Sequence, residues 1–115
     1  MREPLPNVVK TGSQLEIYAV WQAATSPAAD YTVTVQFLNA AGQPQSQVDL
    51  PLPNGSQNWV AGEISEQMLR LNAPSAPGAY RLIAALYDAN APGQPRLQKS
   101  GGNDFVSLRE ILVEE

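Results

Sequence analysis

Pro77-Gly78-Ala79-Tyr80-Arg81-Leu82-Ile83-Ala84-Ala85-Leu86-Tyr87-Asp88 is the stretch that decides the fold. Pro-Gly opens it as a turn, because Pro fixes φ near the turn value and Gly tolerates positive φ. An alternating run follows, and Tyr-Asp closes it ahead of another Pro/Gly-rich segment. In a β-strand, Tyr80, Leu82, Ala84 and Leu86 share one face and Arg81, Ile83, Ala85 and Tyr87 the other. Both faces are largely apolar, so the strand belongs in the middle of a sheet. At an edge, such a surface invites pairing with another chain.

The chain on either side repeats the strand-and-turn pattern. Gln14–Gln22 alternates Leu15, Ile17, Ala19 and Trp21 against Glu16, Tyr18, Val20 and Gln22, which makes Trp21 a core anchor. Residues 31–39 alternate Tyr31, Val33, Val35 and Phe37 against Thr32, Thr34 and Gln36, a β-branched composition suited to a half-buried pleated surface. Asn39-Ala40-Ala41-Gly42 has the length of a hairpin connection, and residues 45–50 pair back from it. Pro51, Pro53 and Gly55 then impose a loop. Residues 63–71 fit neither strand nor helix period cleanly; they are read as a strand with an irregularity near Gln67, a helix being the alternative. Residues 91–103, rich in Pro and Gly, form a long loop before a last strand over 105–113.

With a short edge strand near Val8 and Val9, about seven strands result, with turn signals roughly every ten residues. The expectation is an all-β, immunoglobulin-like or fibronectin-III-like sandwich of about seven antiparallel strands. Residues 1–13 are its lead-in and turn, and residues 14–113 a single β-sandwich domain. Tyr80, two residues past the Pro-Gly corner, has two readings. Its hydroxyl either returns to the incoming backbone, as the corner tyrosine of immunoglobulin-like sandwiches does, or reaches solvent.

Composition removes several classes of function. Cysteine and histidine are both absent. Thiolate and disulfide chemistry is therefore unavailable, as are the commonest general base and the commonest transition-metal ligand. A net charge of −4 with seven Lys/Arg spread along the chain argues against nucleic acid or an anionic membrane as partner. The first twenty residues resemble neither a secretory signal nor a membrane span, and no direct membrane insertion is expected.

A set of short signatures lines up in order: Trp21-Gln22-Ala23 closing the strand from Leu15; Asp30-Tyr31-Thr32-Val33; Gly42; Gln47-x-Asp49; Gly55; Trp59-x-x-Gly62-Glu63; Pro77-Gly78-x-Tyr80-x-Leu82; Leu86-Tyr87-Asp88; and Arg96-Leu97. The set resembles the extracytoplasmic C-terminal β-sandwich domain of bacterial polytopic membrane glycosyltransferases of the protein-mannosyltransferase-like family, notably those of Chloroflexi. The resemblance covers about residues 11–97. It implies an immunoglobulin-like sandwich carried by a membrane-embedded enzyme and implies no chemistry or cofactor for the sandwich itself. It also implies an extracytoplasmic location and, as partner, another protein or the membrane-embedded portion of a larger one. Gln36 stands where that family often has His, and Gly-Ser-Gln-Asn precedes Trp59 where a Pro-Thr pair is usual, so roles tied to those positions do not carry over. The chain is then an excised domain or a free-standing relative.

The residues themselves offer few sites. Glu63 and Glu66 are the best carboxylate pair, but residues three apart in a strand point to opposite faces, which leaves them as solvated charges or partners for Arg70 and Arg81. Gly12-Ser13 and Gly55-Ser56 lack a base and the context of a nucleophile elbow, and Gly101-Gly102 precedes a strand where phosphate binding needs a helix. Asp49, Asp88 and Asp104 are hard oxygen ligands that fit no calcium-loop spacing, and turn or capping roles account for each. No catalytic, cofactor-binding or metal residue is therefore assigned. A glycan is the remaining ligand class: Trp59, with Tyr18 and Tyr87, for stacking on a sugar ring, and Asp49, Gln47, Gln57 and Asn58 for its hydroxyls. The competing structural reading makes Trp59 a lid over one end of the core, packed on the Pro-rich loop. The expected function is a non-catalytic accessory or interaction domain, with a carbohydrate-binding module built on Trp59 as the alternative.

Overall fold

In the computed structural model, which describes residues 6–23, 30–53, 55–92, 96 and 105–115, the Pro-Gly-initiated strand β6 (Gly78–Tyr87) lies in the middle of a five-stranded sheet. Its neighbours are β3 (Thr32–Leu38) and β7 (Val106–Glu114), both antiparallel to it; β4 (Pro44–Pro51) and the short β1 (Val8–Lys10) form the two edges. The second sheet pairs β2 (Gln14–Gln22) with β5 (Ile64–Asn72). The protein is thus all-β, a two-sheet sandwich of seven strands among the described residues.

Alternation builds the core. Val33, Val35 and Phe37 of β3, Tyr80 and Leu82 of β6, and Ile111 and Val113 of β7 turn inward. They meet Leu15 and Ile17 of β2 and Leu69 and Leu71 of β5. The rings of Phe37 and Tyr80 meet edge to face, centroids 6.2 Å apart. Of the two readings of Tyr80, the corner is the one observed: its hydroxyl donates to the carbonyl oxygen of Ala76 at 2.7 Å. Trp21 is half-buried at the flank of the core, and its indole N–H donates to Gln67 Oε1 at 3.0 Å. Gln67 in turn donates to the Pro51 carbonyl at 2.8 Å, so one side chain ties β2, β5 and the end of β4 together.

Three expectations need correction. The strands are not all antiparallel, because β1 runs parallel to β7, with Val8 opposite Leu112 and Lys10 opposite Glu114. The short edge strand expected near Val8 and Val9 is present as β1, so the sandwich begins within the lead-in of residues 1–13 and not at residue 14; the chain then changes sheet at the turn Thr11–Ser13, where Ser13 N and Oγ both donate to Lys10 O. β5 carries no irregularity at Gln67, since its register with β2 is unbroken from Gln14–Asn72 to Gln22–Ile64. Register shifts occur instead between Phe37 and Leu38 against β4 and between Leu82 and Ile83 against β7. The hairpin at Asn39 forms as expected: Asn39 Oδ1 accepts from Ala41 N and Gln43 N, and Gly42 supplies the positive φ of +79°. The loop expected over 91–103 falls largely outside the described residues, as do Leu97, Gly101, Gly102 and Asp104.

Candidate functional site

The residues expected to act together separate into two groups. Asp49 and Gln47 lie on the outer face of the five-stranded sheet, because Val48 and Leu50 between and beyond them take the core side of β4. Trp59 follows a single turn of 3₁₀ helix (Ser56–Asn58) and turns into the core, only 4% exposed, with its indole N–H donating to the Pro53 carbonyl at 3.0 Å. Its ring is packed, so it offers no stacking platform. The observed place of Trp59 is the lid over one end of the core. Asn58 is exposed beside it.

Local chemistry explains that loop. Ser56 is fully buried, and its hydroxyl accepts from Tyr31 N at 2.8 Å, while Asp30 Oδ1 accepts from Gln57 N at 2.8 Å. Both contacts bind the turn to the start of β3. Gly55, at φ +72°, sits so close to Asp30 and Asn58 that a Cβ there would lie 3.2 Å from each.

A polar network surrounds Asp49. Thr34 faces it directly in the β3–β4 register, and Gln36 faces Gln47. The Asp49 carboxylate accepts three hydrogen bonds: on Oδ1 from Thr34 Oγ1 at 2.8 Å and Gln47 Nε2 at 3.1 Å, and on Oδ2 from the Tyr87 hydroxyl at 2.8 Å. Gln36 Nε2 completes the chain by donating to Thr34 Oγ1 at 3.1 Å. Tyr87 reaches Asp49 from β6 across β3, where Thr32 is opposite Tyr87 and Thr34 opposite Ala85. The hydrogen bond to Asp49 raises the phenol above its ordinary value, with partial burial and the Asp49 charge adding in the same direction.

Asp49 and Gln47 were legible as candidates; Thr34, Gln36 and the tie to Tyr87 were not. Polar residues at every second position of an otherwise apolar β3 are the signal that points to them. Thr34 is only 2% exposed although it faces away from the core, and Ile83 on the same face is 1% exposed. Chemically, the network fixes a carboxylate at the surface with three of its lone-pair sites occupied. It is a scaffold element with limited room for a further donor.

The remaining candidates disperse. Glu63 Oε1 accepts from Val60 N at 3.3 Å and closes the turn before β5, while Glu66 is exposed opposite Val20. Arg70 pairs with Glu16, at 2.7 Å across β2 and β5, and so with neither of the two glutamates expected to hold it. Asp88 Oδ1 accepts from Asn90 N at 3.0 Å, a turn role. Among the described residues, no three acidic side chains gather as a metal site would require. A cleft of about 450 Å³ does open near the start of β6, lined among others by Leu38, Asn39, Arg81 and Glu110. None of the expected ligand residues borders it. Compared with known proteins, the chain matches no family model and no curated protein.

Proposed function

We propose that this sandwich is a non-catalytic accessory or interaction domain of an extracytoplasmic or membrane-anchored bacterial protein. The observation that carries the reading is the outer face of the β2–β5 sheet. Ile64 is 61% exposed and Val20 57%, with Met68 beside them. Isolated apolar side chains are ordinary on a protein surface; three on the outer face of one two-stranded sheet, grouped around the exposed Glu66, give a partner a mixed apolar and acidic surface. The resemblance to the C-terminal sandwich of polytopic glycosyltransferases supplies the setting, with a membrane-embedded neighbour as the partner. The hydrogen-bonded Asp49 and the packed Trp59 support the same view, because each is occupied by the fold.

The test is site-specific photo-crosslinking from position 64 in the gene as it stands in its organism. The reading expects adducts that fractionate with membranes and contain a polytopic protein or another segment of the same polypeptide. Adducts confined to soluble proteins, or none at all, overturn it.

A further inference from the structure

The cleft near the start of β6 is floored by the outer face of the five-stranded sheet. Leu38, Arg81 and Glu110 stand in one cross-strand row, and Ala79 and Leu112 in the next. Ala79 contributes only a methyl group, which leaves room above it between Leu112 on one side and Leu38 on the other. The resulting volume, about 450 Å³, falls within the roughly 300–1,000 Å³ of small-molecule sites. Both walls are held by hydrogen bonds of their own. On the β3 side, Asn39 Oδ1 accepts from Ala41 N and Gln43 N, and Asn39 Nδ2 donates to Gln43 Oε1 at 3.2 Å. On the β1 side, Asn7 O accepts from Leu112 N, and the side-chain oxygen of Asn7 accepts from Arg109. The cleft thus has its shape before a ligand arrives, which lowers the cost of binding.

Arg81 and Glu110 are the exception to this internal bonding. They face each other directly in the β6–β7 register, where opposed Cβ atoms lie about 4.5–5.5 Å apart. Among the described residues, however, the one ion pair is that of Glu16 with Arg70, and neither Arg81 nor Glu110 makes a side-chain hydrogen bond. Two opposite charges therefore border one cleft, above an apolar floor, with the bonding capacity of each left to a ligand.

We propose that this cleft binds a small zwitterion, an apolar α-amino acid. Its carboxylate is taken by the Arg81 guanidinium and its ammonium by the Glu110 carboxylate, while its side chain lies over Ala79 between Leu38 and Leu112. The planar donor fork of Arg matches a carboxylate, and the Glu oxygens accept from an ammonium. A ligand carrying only a negative charge is repelled by Glu110, and one carrying only a positive charge by Arg81. A ligand bearing both charges satisfies both groups, so the pair selects by exclusion as well as by attraction. The cleft and the surface around Val20, Ile64 and Met68 belong to different sheets, so amino-acid binding is independent of the protein contact proposed there.

The experiment is titration of the isotope-labelled chain with L-leucine, N-acetyl-L-leucine and L-leucine methyl ester, followed by amide chemical shifts. Acetylation removes the ammonium and esterification the carboxylate, and each leaves the apolar body unchanged. L-Leucine is expected to shift the amides of Ala79, Arg81, Glu110 and Leu112 saturably, with a Kd on the order of 1 mM, and each derivative to bind at least about tenfold more weakly. Arg81→Gln and Glu110→Gln alter exposed side chains, so both variants are expected to fold and to lose the response to leucine. The absence of a saturable shift at about 20 mM leucine overturns the proposal. So does a derivative that binds as tightly as leucine, or a variant that keeps wild-type affinity.

Discussion

The Tyr80 hydroxyl donates to the Ala76 carbonyl across 2.7 Å and so fastens the corner ahead of β6 to the strand that follows it. The ring stays in the core against Phe37 whether or not the hydroxyl is present. Tyr80→Phe therefore removes a hydrogen bond and little packing. We expect a loss of about 1 kcal/mol, read as a lower urea midpoint at unchanged slope.

The Thr34 hydroxyl donates to Asp49, its one acceptor among the described residues, and Thr34 is buried. Asp49→Ala leaves that donor without a partner and should cost about 1–3 kcal/mol. Asp49→Asn keeps an acceptor oxygen and should cost distinctly less. Equal losses in chemical denaturation of the two variants would remove Thr34 from the account.

Tyr87 gives the same network a pH dependence. Its raised folded-state pKa means that the folded protein holds the phenolic proton more tightly than the unfolded chain does. The associated stability is complete below the ordinary tyrosine value of 10.0 and is lost as pH climbs through the raised value. Urea unfolding of wild type and Tyr87→Phe at intervals from about pH 8 to about pH 12 isolates this contribution, since the two proteins differ in that one phenol. Wild type should lose stability more steeply than the variant.

Gln67 joins Trp21 to the end of β4 through two hydrogen bonds, at 3.0 and 2.8 Å. Gln67→Leu fills similar space but leaves the indole N–H and the Pro51 carbonyl to solvent or to nothing. The expected cost is about 1–2 kcal/mol, with a change in tryptophan emission that a Trp21→Phe background abolishes.

Glu16 and Arg70 form a short ion pair, yet both side chains are more than half exposed, at 54% and 57%. Screening and side-chain entropy leave little net gain at such a site. Glu16→Gln is expected to change stability by no more than about 0.5 kcal/mol, and the difference should vanish in high salt.

The contrast between β6 and β5 shows how far the sequence carried the fold. β6 was legible because its apolar residues fill both faces and Pro-Gly marks its start. β5 was not, because Ile64 and Met68 point to solvent while Ser65 and Gln67 point inward, which inverts the expected pattern over half its length. β1 is too short for any periodicity, and only its pairing with β7 makes it a strand. At the site, the hairpin at Asn39 already brought Asp49 near Thr34. The third partner, Tyr87, comes from a strand far along the chain, and only the β3–β6 pairing brings it within reach of Asp49. Trp59 was open to both a surface and a core reading because a loop tryptophan beside Pro and Gly fits either. The hydrogen bond to Pro53 O and the packing around its ring decided for the core.

The parallel pairing of β1 with β7 has a mechanical side. Leu112 N donates to Asn7 O at one end of the pair and Thr11 N to Glu114 O at the other. A pull applied to the chain ahead of Val8 and beyond Glu114 acts along these two strands in opposite directions. The bonds between them are then loaded together, in shear, and do not open one after another like a zip. Resistance to tension thus rests on the smallest strand of the sandwich, and the rate at which that contact yields governs how long the domain survives under force.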